Sequence, residues 1–333
     1  MRIVLGYPVD QRQLEQIQEA APGSTLVDAG QQQIPEEVLD ADIFCGHAKE
    51  RPVPWDDVVR LGRLKWIQSS AAGLDHCLTP AVIASDILVT SASGLFAKPV
   101  AEQALALLLG LLRGLPVFFR QTLRREFIRR PTRDLHGTTV GIVGFGGNGR
   151  RLAEVLAAWE TRILATDLFP VRKPAHVEQL WPADRLDDLL AESDIVILCV
   201  PLNRWTCGMI AAPQLARMKR GALLINVARG PVVVEADLVA ALESGQLGGA
   251  GVDVTEVEPL PATSRLWELP NVLITPHVGA QCGPRYQNVT DFFCDNLRRY
   301  RDGRPLRNLV DKQLGFPRPE EAQPGGLPGR GEE

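Results

Sequence analysis

The sequence predicts an α/β protein of two doubly wound parallel-sheet domains, the larger inserted into a smaller one, and three observations carry that reading. Short apolar runs alternate with polar or helix-like stretches along the chain, the rhythm of a parallel layer. Between residues 99 and 278 the runs become uniformly apolar, as strands buried on both faces must be. A helix-like segment, "RYQNVTDFFCDNLRRYRDG", then follows at 285–303 and can return to pack on the first region, which makes the smaller domain discontinuous.

In chain order, "RIVLGY", "STLVDA", "DIFCG", "LKWIQSS" and "DILVTS" are the expected strands of the first region, residues 1–98. "TTVGIVGFG", "TRILATD", "DIVILCV", "ALLINVA", "GAGVDV" and "NVLITP" are those of the second, residues 99–284. Residues 285–311 complete the first domain, and 312–333, rich in Pro, Gly and Glu with little to bury, are expected to form a disordered tail. The longest apolar run, "ALALLLGLLRGLPVFF", is broken by Gly110, Arg113 and Pro116 short of the roughly 18 residues a membrane span needs. It reads as a buried helix.

Composition narrows the function. A chain of 333 residues, 45% hydrophobic and 23% charged, suits two folded domains of ordinary size. Lys and Arg number 36 against 40 Asp and Glu, a net charge of -4 with no basic block, so a nucleic-acid partner is not expected. No apolar signal segment opens "MRIVLGYP", and Cys45, Cys77, Cys199, Cys207, Cys282 and Cys294 lie scattered without zinc-knuckle or redox spacing. A cytoplasmic protein with reduced thiols and no metal site is expected.

The glycine-rich stretch "GIVGFGGNGR" carries the first chemistry. Gly144, Gly146 and Gly149 form G-x-G-x-x-G between an apolar strand and the helical pattern "RRLAEVLAAW". The first glycine permits a tight turn, the second lets backbone approach a pyrophosphate, and the third lets the helix pack close to the strand, with phosphates at the helix N-terminus. The next strand, "RILATD", ends in Asp167, at roughly the 20-residue offset of an acidic residue that takes ribose hydroxyls. A carboxylate there repels a 2′-phosphate, so NAD is expected rather than NADP, although Arg172 stands nearby. Asn148 occupies a position where an apolar residue would pack better beneath the turn.

A dinucleotide fold hosts many chemistries, so function needs a second set of residues. Arg229 in "NVARGPVV", Glu258 in "GVDVTEVEPLP" and His277 in "LITPHVGA" each fall just past an expected strand end, where ligands bind in open α/β sheets. Each also has an ordinary alternative: a surface ion pair for the arginine, a strand-end cap for the histidine, and Glu256 in place of Glu258.

At these residues the sequence resembles the D-isomer-specific 2-hydroxyacid dehydrogenase family. The likeness runs to about residue 311 through the glycine turn, "INVARGPVV", "GVDVTEVEPLP" and "NVLITPHVGA", together with "SSAAGLDH" at 69–76 and "AKPVAEQALALLLGLLR" at 97–113. It implies a Rossmann-type cofactor domain inserted into a flavodoxin-like substrate domain, with the site in a cleft between them. It also implies interconversion of a 2-oxo acid and its D-2-hydroxy acid by hydride transfer.

Under that resemblance, Arg229 binds the substrate carboxylate and polarises the keto oxygen. His277 exchanges a proton with the substrate oxygen, and Glu258 accepts a hydrogen bond from the other imidazole nitrogen and orients the ring. The amides of Ala72 and Gly73 bind the carboxylate as well. Asp253 and the Ala228 carbonyl hold the nicotinamide carboxamide, Val200 and Pro201 flank the adenosine, and Gly279 and Asn148 join the glycine turn in the cofactor site. A homodimer is expected by the same resemblance, and a small unphosphorylated substrate such as glyoxylate or hydroxypyruvate is favoured.

Two other functions stay open: an NAD-sensing partner protein like the corepressors that resemble this family, and oxidation of an unusual donor such as phosphite or formate. His47, His76, His136 and His176 have no matched catalytic partner, His76 being nearest the substrate loop. Lys98, before Pro99, either reaches the cleft or marks the domain crossing, the second being favoured. Trp205, where the family often has small polar residues, either narrows the ligand region or packs at an oligomer surface.

Overall fold

Apolar runs bounded by glycine, proline and aspartate become strands in the computed structural model, which describes residues 1–319. Two units result: Met1–Phe96 with residues 282–319, and Ala97–Gln281. The divisions fall a few residues before the expected 98/99 and 284/285, because the helix Ala97–Leu112 already contains Lys98 and Pro99 in its first turn. Proline is tolerated there, where its missing N–H has no partner to lose.

The first unit holds a parallel sheet of β1 (Arg2–Gly6), β2 (Thr25–Asp28), β3 (Ile43–Gly46), β4 (Trp66–Ser69) and β5 (Leu88–Thr90), in the order β2-β1-β3-β4-β5. This is the 2-1-3-4-5 order of flavodoxin-like folds. The helix Arg285–Arg301 returns to this unit, burying Phe292, Phe293 and Leu297. Its Thr290 hydroxyl pairs with the Tyr7 hydroxyl at 3.0 Å, and its Asn296 donates to Gln68 Oε1 at 3.1 Å.

Residues 312–319, expected in the tail, are structured. In β13 (Val310–Asp311) and β14 (Phe316–Pro317) the chain pairs antiparallel with itself. Lys312 Nζ donates to the carbonyls of Val82 and Ile87, each at 3.2 Å, and Arg318 pairs with Asp311 at 2.6 Å. Composition concealed this segment because polar contacts and main-chain bonds hold it, whereas the sequence criterion was apolar burial. The rest of the expected tail lies outside the described residues.

The second unit's sheet runs β12-β11-β10-β9-β6-β7-β8, all parallel. Its strands are β6 (Thr139–Val143), β7 (Arg162–Asp167), β8 (Gln179–Pro182), β9 (Ile195–Leu198), β10 (Ala222–Asn226), β11 (Leu247–Val252) and β12 (Val272–Ile274). Every residue of β6, β9 and β10 is buried, as strands covered on both faces require. β8 escapes a hydrophobic criterion because it is a half-exposed edge strand ending in Pro182, an edge residue by its lack of an N–H. Strand order reverses at β6, with β7 on one side and β9 on the other, so the loops after these strands open a crevice at their C-terminal ends.

The apolar run after residue 97 is two helices rather than one buried one. Gly114, at φ 70°, breaks it into Ala97–Leu112 and Leu115–Leu123, bent by 68°. The first buries Val100, Ala104, Leu107 and Leu108, whereas the second exposes Phe119 and Leu123. Among the described residues no single helix is long and apolar enough to cross a membrane.

Candidate active site

The glycine turn closes around β6. Gly144 has φ 95°, a left-handed conformation that disfavours any side chain, and a Cβ on it would lie 3.0 Å from Val200 N. A Cβ on Gly149 would come within 2.1 Å of the Gly144 carbonyl oxygen, so that glycine is required by the helix packing on the turn. Gly146 differs: its φ is -75°, and a Cβ there would meet nothing within 4 Å. Neither backbone conformation nor packing demands glycine at 146. What remains is a cradle at the N-terminus of the helix Gly147–Ala157, open to an approaching phosphate. Asn148 is half-buried there, while Phe145 is buried and supplies the apolar filling.

Asp167 ends β7 and joins the same cluster. Its carboxylate accepts from the Phe145 amide at 2.7 Å and the Phe169 amide at 3.0 Å, tying the loop after β7 to the glycine turn. Each carboxylate oxygen has a second lone pair, so these bonds are compatible with a ribose hydroxyl. Val200 and Pro201 follow Cys199 in the loop after β9 on the other side. The residues fit the dinucleotide whose phosphates the turn would hold, whose ribose Asp167 would take, and whose bound form would supply the hydride.

A second cluster forms beyond β10, β11 and β12. Buried Asn226, the last residue of β10, accepts from the Ala228 amide at 3.1 Å and donates to the Arg229 carbonyl at 3.1 Å, folding the loop that presents Arg229. Arg229 Nη1 donates to the Ala228 carbonyl at 2.7 Å, leaving that carbonyl one further lone pair. The neighbouring Gly230 lies so close to the next loop that a Cβ would fall 1.7 Å from the Thr255 carbonyl oxygen.

Asp253, just past β11, is buried and organises the segment after β12. Its carboxylate accepts from the Thr275 hydroxyl at 2.6 Å, the Val278 amide at 3.0 Å and the Gly279 amide at 2.8 Å. Its carbonyl accepts from the His277 amide at 2.8 Å, and Gln103 supports Thr275 at 2.8 Å. His277 is thereby held at φ 53°, a conformation costing about 1 kcal/mol or more in a residue other than glycine.

His277 Nδ1 stands 2.8 Å from Glu258 Oε2, and the other Glu258 oxygen accepts from the Thr255 amide at 3.2 Å. The ring's Nε2 remains available for exchange with a substrate. Burial pushes the Glu258 carboxyl upward, but the hydrogen bond and charge of His277, the Thr255 amide and the charge of Arg229 outweigh it and hold the group below its ordinary range. Glu256, the rival acid, instead accepts from the Glu235 amide at 2.8 Å and serves the first turn of the helix Glu235–Glu243.

The remaining sequence candidates lie elsewhere. Ala72 and Gly73 occupy the loop after β4 in the first unit, fixed by the Ala71 amide on Ser69 Oγ at 3.1 Å and the Ala92 amide on the Ala71 carbonyl at 2.9 Å. His76 packs against His47 with ring centroids 4.0 Å apart and the rings tilted by 36°, and His136 packs on Trp159. Sequence reasoning missed Asn226, Thr275 and Gln103, which support the site through hydrogen bonds between segments distant in the chain. Asn226 and Thr275 were hinted at by their place beside "VARG" and "PHVG", and Gln103 only by its place in the run 97–113.

Comparison with known proteins agrees with this geometry. Residues 105–279 match the model of the D-isomer specific 2-hydroxyacid dehydrogenase NAD binding domain. A glycerate dehydrogenase of Methylorubrum extorquens is 33% identical over 289 residues, 83% of this chain and 89% of that one. A D-isomer specific 2-hydroxyacid dehydrogenase from Xanthobacter autotrophicus, solved with NADPH and MES, superposes with a TM-score of 0.80 at 31% identity, covering 95% of this chain and 99% of that one. An NADPH-dependent glyoxylate/hydroxypyruvate reductase from Sinorhizobium meliloti, solved with NADP and sulfate, gives a TM-score of 0.80 at 28% identity over 95% and 99% of the two chains. A glycine turn built for phosphates and an imidazole paired with a carboxylate at the ends of one parallel sheet thus place the chain in the D-isomer specific 2-hydroxyacid dehydrogenase family of oxidoreductases.

Proposed function

We propose that this enzyme reduces a small unphosphorylated 2-oxo acid, of the glyoxylate or hydroxypyruvate kind, to its D-2-hydroxy acid, and catalyses the reverse reaction, with NAD(H) as the preferred cofactor. The observation that carries the reading is the His277–Glu258 pair at 2.8 Å, with the charge of Arg229 acting on the same carboxylate. In reduction, His277 Nε2 gives its proton to the substrate oxygen as that oxygen gains negative charge, and Glu258, bonded at Nδ1, orients the ring. Arg229 offers a planar fork to the substrate carboxylate. In the first unit, the amides of Ala72 and Gly73 are assigned to the binding of an anion.

The names of the relatives support the small substrate. The cofactor preference rests on Asp167, whose carboxylate opposes a second phosphate, and against it stand solved relatives that hold NADPH or NADP, both structures described above among them. The test follows absorbance of NADH and NADPH with a panel of 2-oxo acids of increasing side-chain size. Turnover with NADH, reduced by roughly 10² to 10⁴ in His277→Ala, is expected. Equal turnover in the variant removes His277 from the chemistry, and a preference for NADPH removes Asp167 as selector. We also propose a homodimer, supported by the exposed apolar side chains that follow Gly114.

A further inference from the structure

The loop after β9 carries a pair that the proposed reaction leaves unused. Trp205 is 52% exposed, and the Arg204 guanidinium lies over its indole, 4.0 Å from the ring centroid. The loop beneath is fixed. Asn203 Oδ1 accepts from the amides of Trp205 at 3.0 Å and Thr206 at 3.1 Å, and the Thr206 hydroxyl donates to the Pro201 carbonyl at 2.6 Å. About half of the indole stays in water, so the apolar face that Arg204 does not cover is available to a ligand.

Position names the ligand. The loop starts at Cys199, and the Val200 amide that follows is 3.0 Å from the Cβ that Gly144 lacks, so the loop is rooted on the phosphate turn. Across β6, the loop after β7 is tied to the same turn through the bond from the Phe145 amide to Asp167, and its next residue, Leu168, is a second exposed apolar side chain. With phosphates at the turn, the catalytic residues beyond β10–β12 fix the nicotinamide end. The adenosine end must then run the other way, toward Asp167. The crevice flanked by the loops after β7 and β9 is where a flat, apolar-faced heterocycle fits.

We propose that Trp205, backed by Arg204, is the wall on which the adenine of the dinucleotide stacks, so that this chain sets much of its cofactor affinity from the adenosine end. Stacking on an aromatic face suits a purine, and the guanidinium holds the indole in one orientation through its attraction to the ring. The proposal rests on the dinucleotide reading above and adds a residue that reading does not require.

Equilibrium titration calorimetry with NADH, ADP-ribose and nicotinamide mononucleotide tests it on the full chain, comparing the parent with Trp205→Ala and Trp205→Phe. Trp205→Ala is expected to weaken NADH and ADP-ribose by roughly 5- to 150-fold, the range of single base-stacking contacts. Phenylalanine should restore most of the loss, and nicotinamide mononucleotide should be unaffected. ADP-ribose should also quench indole emission in the parent and lose that quenching in the alanine variant. If Trp205→Ala binds NADH and ADP-ribose as the parent does, the wall is refuted while the dehydrogenase reading stands. If the variant instead dissociates an oligomer at unchanged ADP-ribose affinity, Trp205 is a subunit contact and the proposal is overturned. A parent that binds neither nucleotide sinks both readings.

Discussion

His277 shows how much a single side chain is made to bear. Its backbone sits at φ 53° because the Asp253 carbonyl takes its amide, and its ring is turned by Glu258. The strain persists because the bonds converging on Asp253 over-determine the segment. Glu258 is held below the ordinary carboxylate range, and it therefore stays charged through neutral and mildly acidic pH. Glu258→Gln keeps a hydrogen-bond acceptor and removes the charge. It should lower kcat for 2-oxo acid reduction by about 10²-fold while leaving NADH affinity close to the parent's. A variant that keeps the parent's kcat would show that the charge of Glu258 is not used. The choice between Glu256 and Glu258 was not settled by residue type or spacing in the sequence. It turns on a helix elsewhere in the chain, whose Glu235 amide claims Glu256.

At the scale of elements, the strands that meet the site were legible because both faces of the sheet are covered and each strand is a continuous apolar run. β6, β7, β9, β10 and β12 fall within runs read from the sequence, and β11 overlaps its run but starts two residues earlier, at Leu247. β8 and the β13–β14 pair were not legible, since an edge strand and a short antiparallel pair bury little and leave no hydrophobic period. The motifs placed Arg229 and Glu258 past two adjacent strands, but not the contact that sets their separation. That contact is at Gly230, where the loop after β10 touches the backbone of Thr255 and Glu256. Gly230→Ala places a carbon where a carbonyl stands, so the two loops must move apart and carry Arg229 away from Glu258. A misplacement of about 1 Å in such a site costs on the order of 10²-fold in rate. The variant should lose that much in kcat, with a lower melting temperature and NADH affinity close to the parent's. Unchanged kcat would mean that the loops do not depend on that contact.

The whole molecule raises the question of what covers its exposed apolar surface. The bend at Gly114 sends the second half of the apolar run onto the surface, where Arg120 anchors it by donating to the carbonyls of Pro270 at 2.9 Å and Leu269 at 3.0 Å. Phe119 is 63% exposed, Leu123 87% and Phe127 96%, with Ile128 close behind in the chain. Aromatic side chains present about 150 to 250 Å² each, so the stretch approaches or exceeds the few hundred Å² of contiguous apolar surface that a monomer ordinarily leaves in water. A second copy meeting it across a two-fold axis would remove both patches at once, since such an interface is self-complementary. The double variant Leu123→Asp with Phe127→Asp sets two charges where the partner would bury apolar surface. In sedimentation velocity the parent should run at twice the mass of one chain and the variant at the mass of one, with far-ultraviolet circular dichroism unchanged because neither side chain is part of the core. A parent that sediments as a single chain, or a variant that stays paired, would assign this surface to something other than self-association.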